Sequence, residues 1–240
     1  MQLAGEIVGR PSDRVTIVAD TTIVSPTTTR EEVLATAKQM LAEGLVEGTS
    51  GNISGRIDVD RVCVTPSSVP YDTMTLDDLV VVDLAGEVVE GHRSPTTEKD
   101  LHLSVLRAYP ELGAVIHTHA VYATMFALAH EPIPAVIEEV VVYLGGEVPC
   151  CDYKGTGTRD LGDEVASKLG DRGAALLANH GLVTCGPSPA KALHNAALAE
   201  RTAKIVWGAR AAGLDIVPLP EKVNRDMAGV YRFVRDNPGI

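Results

Sequence analysis

The chain has 240 residues, 45% of them hydrophobic, which is enough to bury the core of one globular domain. Its 21 basic and 32 acidic side chains leave a formal charge of −11, so no overall basic field draws in nucleic acid or an anionic membrane, and an anionic small molecule must be gripped by local groups. The four cysteines, at 63, 150, 151 and 185, form no CxxC pair; no run of 18 apolar residues occurs, and the N-terminus lacks a basic segment followed by an apolar one, so the expectation is a cytoplasmic protein with reduced thiols.

Residues 1–29 are mixed in composition and read as an N-terminal extension with one short strand at Val15–Ala19, leaving 30–240 as a single domain. Thr29 is placed to cap a helix whose apolar positions Val33, Leu34, Ala37, Met40 and Leu41 recur at helical spacing until Gly44 stops it. GTSGNISGR, VCVT and a proline-containing turn follow. Leu79–Asp83 and Glu87–Glu90, joined through Leu84-Ala85-Gly86, read as a hairpin, and Glu98–Ala108 as a helix that starts just after Pro95. Ala114–His119 is strand-like and leads into a helix at Val121–Ala129. Leu161, Val165 and Leu169 mark an amphipathic helix behind the loop Gly155-Thr-Gly-Thr158, which reads as loop and cap. Ala174–Ala178 and Leu182–Cys185 flank Asn179-His180-Gly181 as a second hairpin, and Ala190–Ala212 is a long helix. Helices interleaved with hairpins imply an α/β fold, a sheet covered by helices.

Residues two apart on a strand point to the same face, so His117 and His119 can converge on one ion, and His180 in the second hairpin turn offers a third imidazole. An isolated HxH is as readily a pair of surface or hydrogen-bonded histidines. His92, His102, His130 and His194 lack comparable pairing and read as structural. Glu98 opens a helix, where the positive end of the dipole is explanation enough for a carboxylate; beside a metal, the same group can coordinate it and then move a proton. The segments 48–54, 65–68 and 96–97 are rich in glycine and hydroxyls. Each is an ordinary turn by itself; together they make a phosphate pocket worth considering in an acidic chain.

The ordered series GTSGNIS, TPSSVPY, SPTTE, HTHA and NHGL, spread from about Arg30 to about Arg210, resembles the class II aldolase/adducin family, nearest to its L-fuculose-phosphate aldolase-like members. The resemblance implies a single α/β/α catalytic domain with a largely antiparallel central sheet, and a homotetramer with active sites at subunit interfaces. It implies one Zn2+, or Mn2+ or Co2+, per chain, held by His117, His119 and His180, with Glu98 closing the substrate-free coordination sphere and acting as catalytic acid/base. Gly51, Asn52, Ser67, Ser68, Thr96 and Thr97 fall where the family binds the substrate phosphate, and Tyr231 is the nearest match to a catalytic tyrosine of the tail. The implied reaction is retro-aldol cleavage of a small phosphorylated ketose, like L-fuculose 1-phosphate, through a metal-held enediolate, without a Schiff-base lysine.

The chain departs from that pattern in places. Thr96-Thr97 stands for the commoner Ser-Ser, Ser68 for a frequent Gly, and Asn179 for a further His. Ile137-Glu138-Glu139-Val140 occupies the region that supplies an aromatic catalytic residue, and Glu138 and Glu139 read equally as a substrate-facing carboxylate or a solvated pair. The same scaffold supports metal-dependent decarboxylases of 3-oxo sugar acid phosphates or aromatic acids, sugar-phosphate dehydratases, and 4-epimerases, which carry Asp where Glu98 stands. It also supports non-enzymatic adducin-like heads, which lack the site.

Overall fold

In the computed structural model, which describes residues 26–237, eight strands join one sheet. They are β1 (Asn52–Arg56), β2 (Arg61–Val64), β3 (Val80–Asp83), β4 (Val88–Glu90), β5 (Ala114–Thr118), β6 (Cys150–Cys151), β7 (Ala174–Leu177) and β8 (Gly181–Gly186). Their order across the sheet is β4-β3-β2-β1-β5-β8-β7-β6, antiparallel throughout except for the β6–β7 pair. Seven helices cover it: α1 (Pro26–Ala42), α2 (Lys99–Ala108), α3 (Val121–Ala129), α4 (Glu138–Leu144), α5 (Arg159–Leu169), α6 (Pro189–Ala211) and α7 (Glu221–Asp236).

Side-chain alternation along the strands explains the layering. Ile53, Cys63, Val81, Ile116, Leu176 and Leu182 join one core with residues of α1, α3, α4 and α6, while Val62, Val64, Val80, Val82, Val115 and Val183 join a second with α2 and α5. Both faces of the sheet's interior are therefore covered, which is why β2, β3 and β7 read as nearly unbroken apolar runs. The three-layer α/β/α arrangement with a mostly antiparallel sheet is as expected.

Several boundaries differ. α1 begins at Pro26 instead of following a Thr29 cap, because a proline in the first turn lacks only an N–H that the turn leaves unpaired anyway. β1 starts within the segment taken as a donor-rich turn and runs past it, and α4, β6 and α7 were not foreseen; α4 and β6 are too short for periodicity to stand out. The strand expected at Val15–Ala19 lies outside the described residues. The hairpins β3–β4 and β7–β8 and the helices α2, α3, α5 and α6 occupy the expected stretches, and Thr158 caps α5, its hydroxyl accepting from the Leu161 N–H at 3.3 Å. No helix among the described residues is long and apolar enough to cross a membrane.

Antiparallel register brings the chemistry to one end of the sheet. Asn52, the first residue of β1, lies opposite His117 near the end of β5, and Thr118 lies opposite Leu182 of β8, just past the turn that carries His180.

Candidate active site

His117, His119 and His180 converge, with one ring nitrogen of each within 4.8 Å of the others. His117 is fully buried at the centre of the sheet, and its Nε2 stands 3.1 Å from His119 Nε2. Its Nδ1–H donates to the Leu182 carbonyl at 3.0 Å, which fixes the tautomer and leaves the Nε2 lone pair facing the cluster. Burial, with His180 and His119 adding to it, holds His117 well below the ordinary histidine range. His180 is lowered too, mainly by burial and against the opposing charge of Glu98. Neutral imidazoles with inward lone pairs are the ligating form.

The turn that presents His180 is tightly specified. Asn179 takes a left-handed conformation (φ 56°), its N–H donates to the Ala127 carbonyl, and its Oδ1 accepts from His130 Nε2 at 2.7 Å. Gly181 follows, and a Cβ there would come 2.4 Å from the Thr118 carbonyl oxygen and 3.1 Å from His119 Cδ2, so only glycine lets β8 start this close to β5.

Glu98 is the N-cap of α2 and is buried against the same cluster. Its Oε2 accepts from Asn52 Nδ2 at 2.9 Å and lies 3.4 Å from His117 Nε2; its Oε1 lies 3.6 Å from His180 Nε2. Oε1 has no hydrogen-bond partner among the described residues. A buried carboxylate oxygen left without a partner beside this imidazole cluster is not explained by a helix dipole. Three nitrogens and one carboxylate oxygen fit a divalent cation of the zinc class.

The donor-rich turns lie alongside. Backbone bonds from Ser67 N to Ser94 O (2.9 Å) and from Thr96 N to Thr65 O (3.0 Å) lace segments 65–68 and 94–97 together. Gly51 (φ 72°) brings its backbone against β5, where a Cβ would lie 2.7 Å from the His117 carbonyl oxygen. Tyr71 donates its hydroxyl to the Gly51 carbonyl at 2.6 Å and so ties the two segments. Ser68, at φ 60°, and Thr97 are exposed, with the Ser67 and Ser68 hydroxyls 3.4 Å apart; Thr96 is buried, its hydroxyl accepting from the Glu98 N–H at 3.3 Å. Gly51, Asn52, Ser67, Ser68, Thr96 and Thr97 thus share the histidines' end of the sheet.

Tyr231 does not share it. It packs on Gly145, and its hydroxyl donates to the Asp171 carbonyl at 2.6 Å, just before β7, whereas His180 follows the other end of β7. Glu138 and Glu139 are exposed in the first turn of α4, and Glu139 pairs with Arg201 at 3.5 Å, the solvated alternative of the two readings. His102, left structural from its spacing, is fully buried one turn beyond Glu98 and contacts Asn52 Oδ1 and Ser54 Oγ; burial pushes its pKa down to about 4. The four-residue step from Glu98 to His102 was the available signal.

Residues 31–207 match the family described as Class II Aldolase and Adducin N-terminal domain. The chain belongs to the class II aldolase and adducin family. Among curated class II aldolases, the 5-deoxy-D-ribulose 1-phosphate aldolase of Bacillus thuringiensis serovar kurstaki is 39% identical over 155 residues, covering 64% of this chain and 72% of the relative. The L-fuculose phosphate aldolase of Escherichia coli O6:H1 is 36% identical over 162 residues, covering 68% and 74%. An L-fuculose 1-phosphate aldolase structure superposes with a TM-score of 0.81 at 32% identity, over 88% of this chain and 99% of the other. YgbL of Klebsiella pneumoniae, whose activity is left open between aldolase, epimerase and decarboxylase, superposes with a TM-score of 0.78 at 26% identity, over 85% and 99%. The chain is an enzyme of the class II aldolase, aldehyde-lyase type, with a histidine triad able to bind a metal.

Proposed function

We propose that residues 30–240 form a catalytic domain that cleaves a small ketose 1-phosphate by retro-aldol reaction, with one divalent ion per chain, Zn2+ or else Mn2+ or Co2+. The observation that carries this reading is the orphaned Glu98 Oε1, buried against the Nε2 side of three imidazoles and flanked by neutral donors suited to a phosphate. When bound, the ion would act as a Lewis acid on the ketone, stabilising the charge left when the carbon–carbon bond breaks.

The chain's own groups do the rest. Gly51, Asn52, Ser67, Ser68, Thr96 and Thr97 line the phosphate end, which fixes the carbon next to the ketone relative to Glu98. As the carbon–carbon bond breaks, the hydroxyl on the carbon that becomes the aldehyde loses its proton and the bonding electron pair stays on the carbon next to the ketone. Glu98 Oε1 takes up that proton and returns it to this carbon, and in the reverse direction removes it and gives it back to the aldehyde oxygen. Burial of His117 keeps bulk water from the centre of the cluster. The 5-deoxy-D-ribulose 1-phosphate aldolase and the L-fuculose 1-phosphate aldolase structure above are named for ketose 1-phosphates, and retro-aldol cleavage between C3 and C4 of either sugar would release dihydroxyacetone phosphate. The reading includes a cytoplasmic homotetramer whose active sites lie at subunit interfaces; exposed Val121, Met125 and Leu128 on one side of α3, which follows the histidine strand, support a buried contact there.

The test is a screen of ketose 1-phosphates and of 3-oxo and aromatic acids with metal-loaded enzyme, scoring aldehyde and carbon dioxide separately. Aldehyde release that collapses on removal of the phosphate supports the aldolase, and carbon dioxide without aldehyde overturns it in favour of a decarboxylase. Elemental analysis of protein kept from chelators should give about one ion per chain. His117→Ala should lose that ion while remaining folded.

A further inference from the structure

We infer that His102 is a positioning residue for Glu98, acting through the side-chain amide of Asn52. The inference rests on the proton-transfer role proposed above for Glu98.

Four side chains, two from β1 and two from α2 and its N-cap, form one line. His102 Nδ1 lies 2.8 Å from Ser54 Oγ, His102 Nε2 lies 2.5 Å from Asn52 Oδ1, and Asn52 Nδ2 lies 2.9 Å from Glu98 Oε2. All four residues are buried, so the line has no water to compensate a mismatched end.

Donor and acceptor chemistry allows one arrangement. Asn52 turns its NH2 end to Glu98, donating to Oε2, and its amide oxygen faces His102. A neutral imidazole can meet that oxygen only with Nε2–H, which leaves Nδ1 to accept from the Ser54 hydroxyl. In the opposite tautomer two lone pairs would face each other across 2.5 Å. The amide would then turn over and set its oxygen against the Glu98 carboxylate. His102, with its proton on Nε2, therefore holds the Asn52 amide with its NH2 end on Glu98, which keeps one carboxylate oxygen bonded and leaves the other free. The held oxygen is Oε2; the free one is Oε1, beside His180.

A purely structural His102 would tie α2 to β1 equally well through either ring nitrogen. Two substitutions separate the cases. Glutamine carries its amide nitrogen about where the imidazole carries Nε2, and asparagine about where it carries Nδ1. His102→Gln keeps the donor to Asn52, whereas His102→Asn loses it and keeps the Ser54 contact.

The readouts are bound metal per chain, exchange of solvent deuterium into dihydroxyacetone phosphate, and the ring-nitrogen signals of 15N-histidine-labelled wild-type protein. Exchange reports the Glu98 proton step without requiring the aldehyde partner. His102→Asn should keep its metal but lose about 10–100-fold in exchange rate, the usual effect of a group that orients a ligand or base, with most of the loss restored in His102→Gln. The wild-type His102 ring should show its proton on Nε2. Equal loss in both variants, no loss in His102→Asn, or a proton on Nδ1 overturns the inference; the last needs no variant to fold. If wild-type enzyme cleaved no ketose phosphate and exchanged no deuterium, the proposed function would fall, while the ring signal would still decide the hydrogen-bond order.

Discussion

Replacing Glu98 with glutamine removes a charge and a proton-accepting oxygen while leaving the side-chain shape almost unchanged. Asn52 Nδ2, 2.9 Å from Oε2, still needs an acceptor, so the new amide must turn its oxygen there and point its NH2 into the space now faced by Oε1. That NH2 can neither ligate a cation nor accept a proton. Three imidazole nitrogens remain within 4.8 Å of one another, so the ion should stay bound. Loss of the helix-end charge costs about 0.3–1 kcal/mol, and removal of a buried charge offsets part of it. For a chain of this size that amounts to a change in Tm of about 1–4 °C. Positioned proton transfer contributes about 10²–10⁴ in rate, so kcat should fall by that factor. The assay is kcat for aldehyde release by metal-loaded variant, with thermal melting and elemental analysis on the same sample. A variant holding its metal and retaining more than about a tenth of wild-type kcat would refute the acid/base role.

Gly51→Ala puts a Cβ 2.6 Å from Val46 Cγ1 and 2.7 Å from the His117 carbonyl oxygen at φ 72°, so it should raise KM for the phosphorylated substrate severalfold and lower Tm; an unchanged KM would remove Gly51 from the phosphate site. Tyr231→Phe loses the bond to the Asp171 carbonyl and should cost about 0.5–1.5 kcal/mol of stability with kcat nearly intact. A large fall in kcat at unchanged stability would instead put this tyrosine in an active site. Asp78 Oδ2 accepts from the Thr75 N–H and hydroxyl and Oδ1 faces Arg93, which holds its carboxyl down at about 2, the backbone bond contributing most. Because the folded value is the depressed one, its contribution is complete above the unfolded value of about 3.9 and is lost as pH falls towards 2; with Arg93 half exposed it is about 1–2 kcal/mol. Urea melts should show wild type leading Asp78→Asn at pH 7 and the lead shrinking between pH 4 and 2.5, and a lead independent of pH would contradict the shift.

The sequence by itself determined the parts that depend on local order. Two-residue periodicity pointed His117 and His119 to one ion, although β5 ends at Thr118 and His119 lies just past it, and Asn179-His180-Gly181 between apolar runs placed the third imidazole in a hairpin turn. Helical spacing located α2, α3, α5 and α6, and the order of five short motifs carried the family. What depended on register was out of reach. That Asn52 begins a strand opposite His117, 65 positions on in the chain, and so meets both Glu98 and His102, follows from the pairing of β1 with β5. Spacing alone left His102 structural because its partners come from β1, far from α2 in the chain. The tail was illegible for a similar reason: α7 is positioned by packing on α4, and only that contact decides that Tyr231 spends its hydroxyl on Asp171, at the end of β7 away from His180. Periodicity reports which side of an element is buried; which residues meet across the sheet is decided by strand order and register, and these are set by the whole core at once.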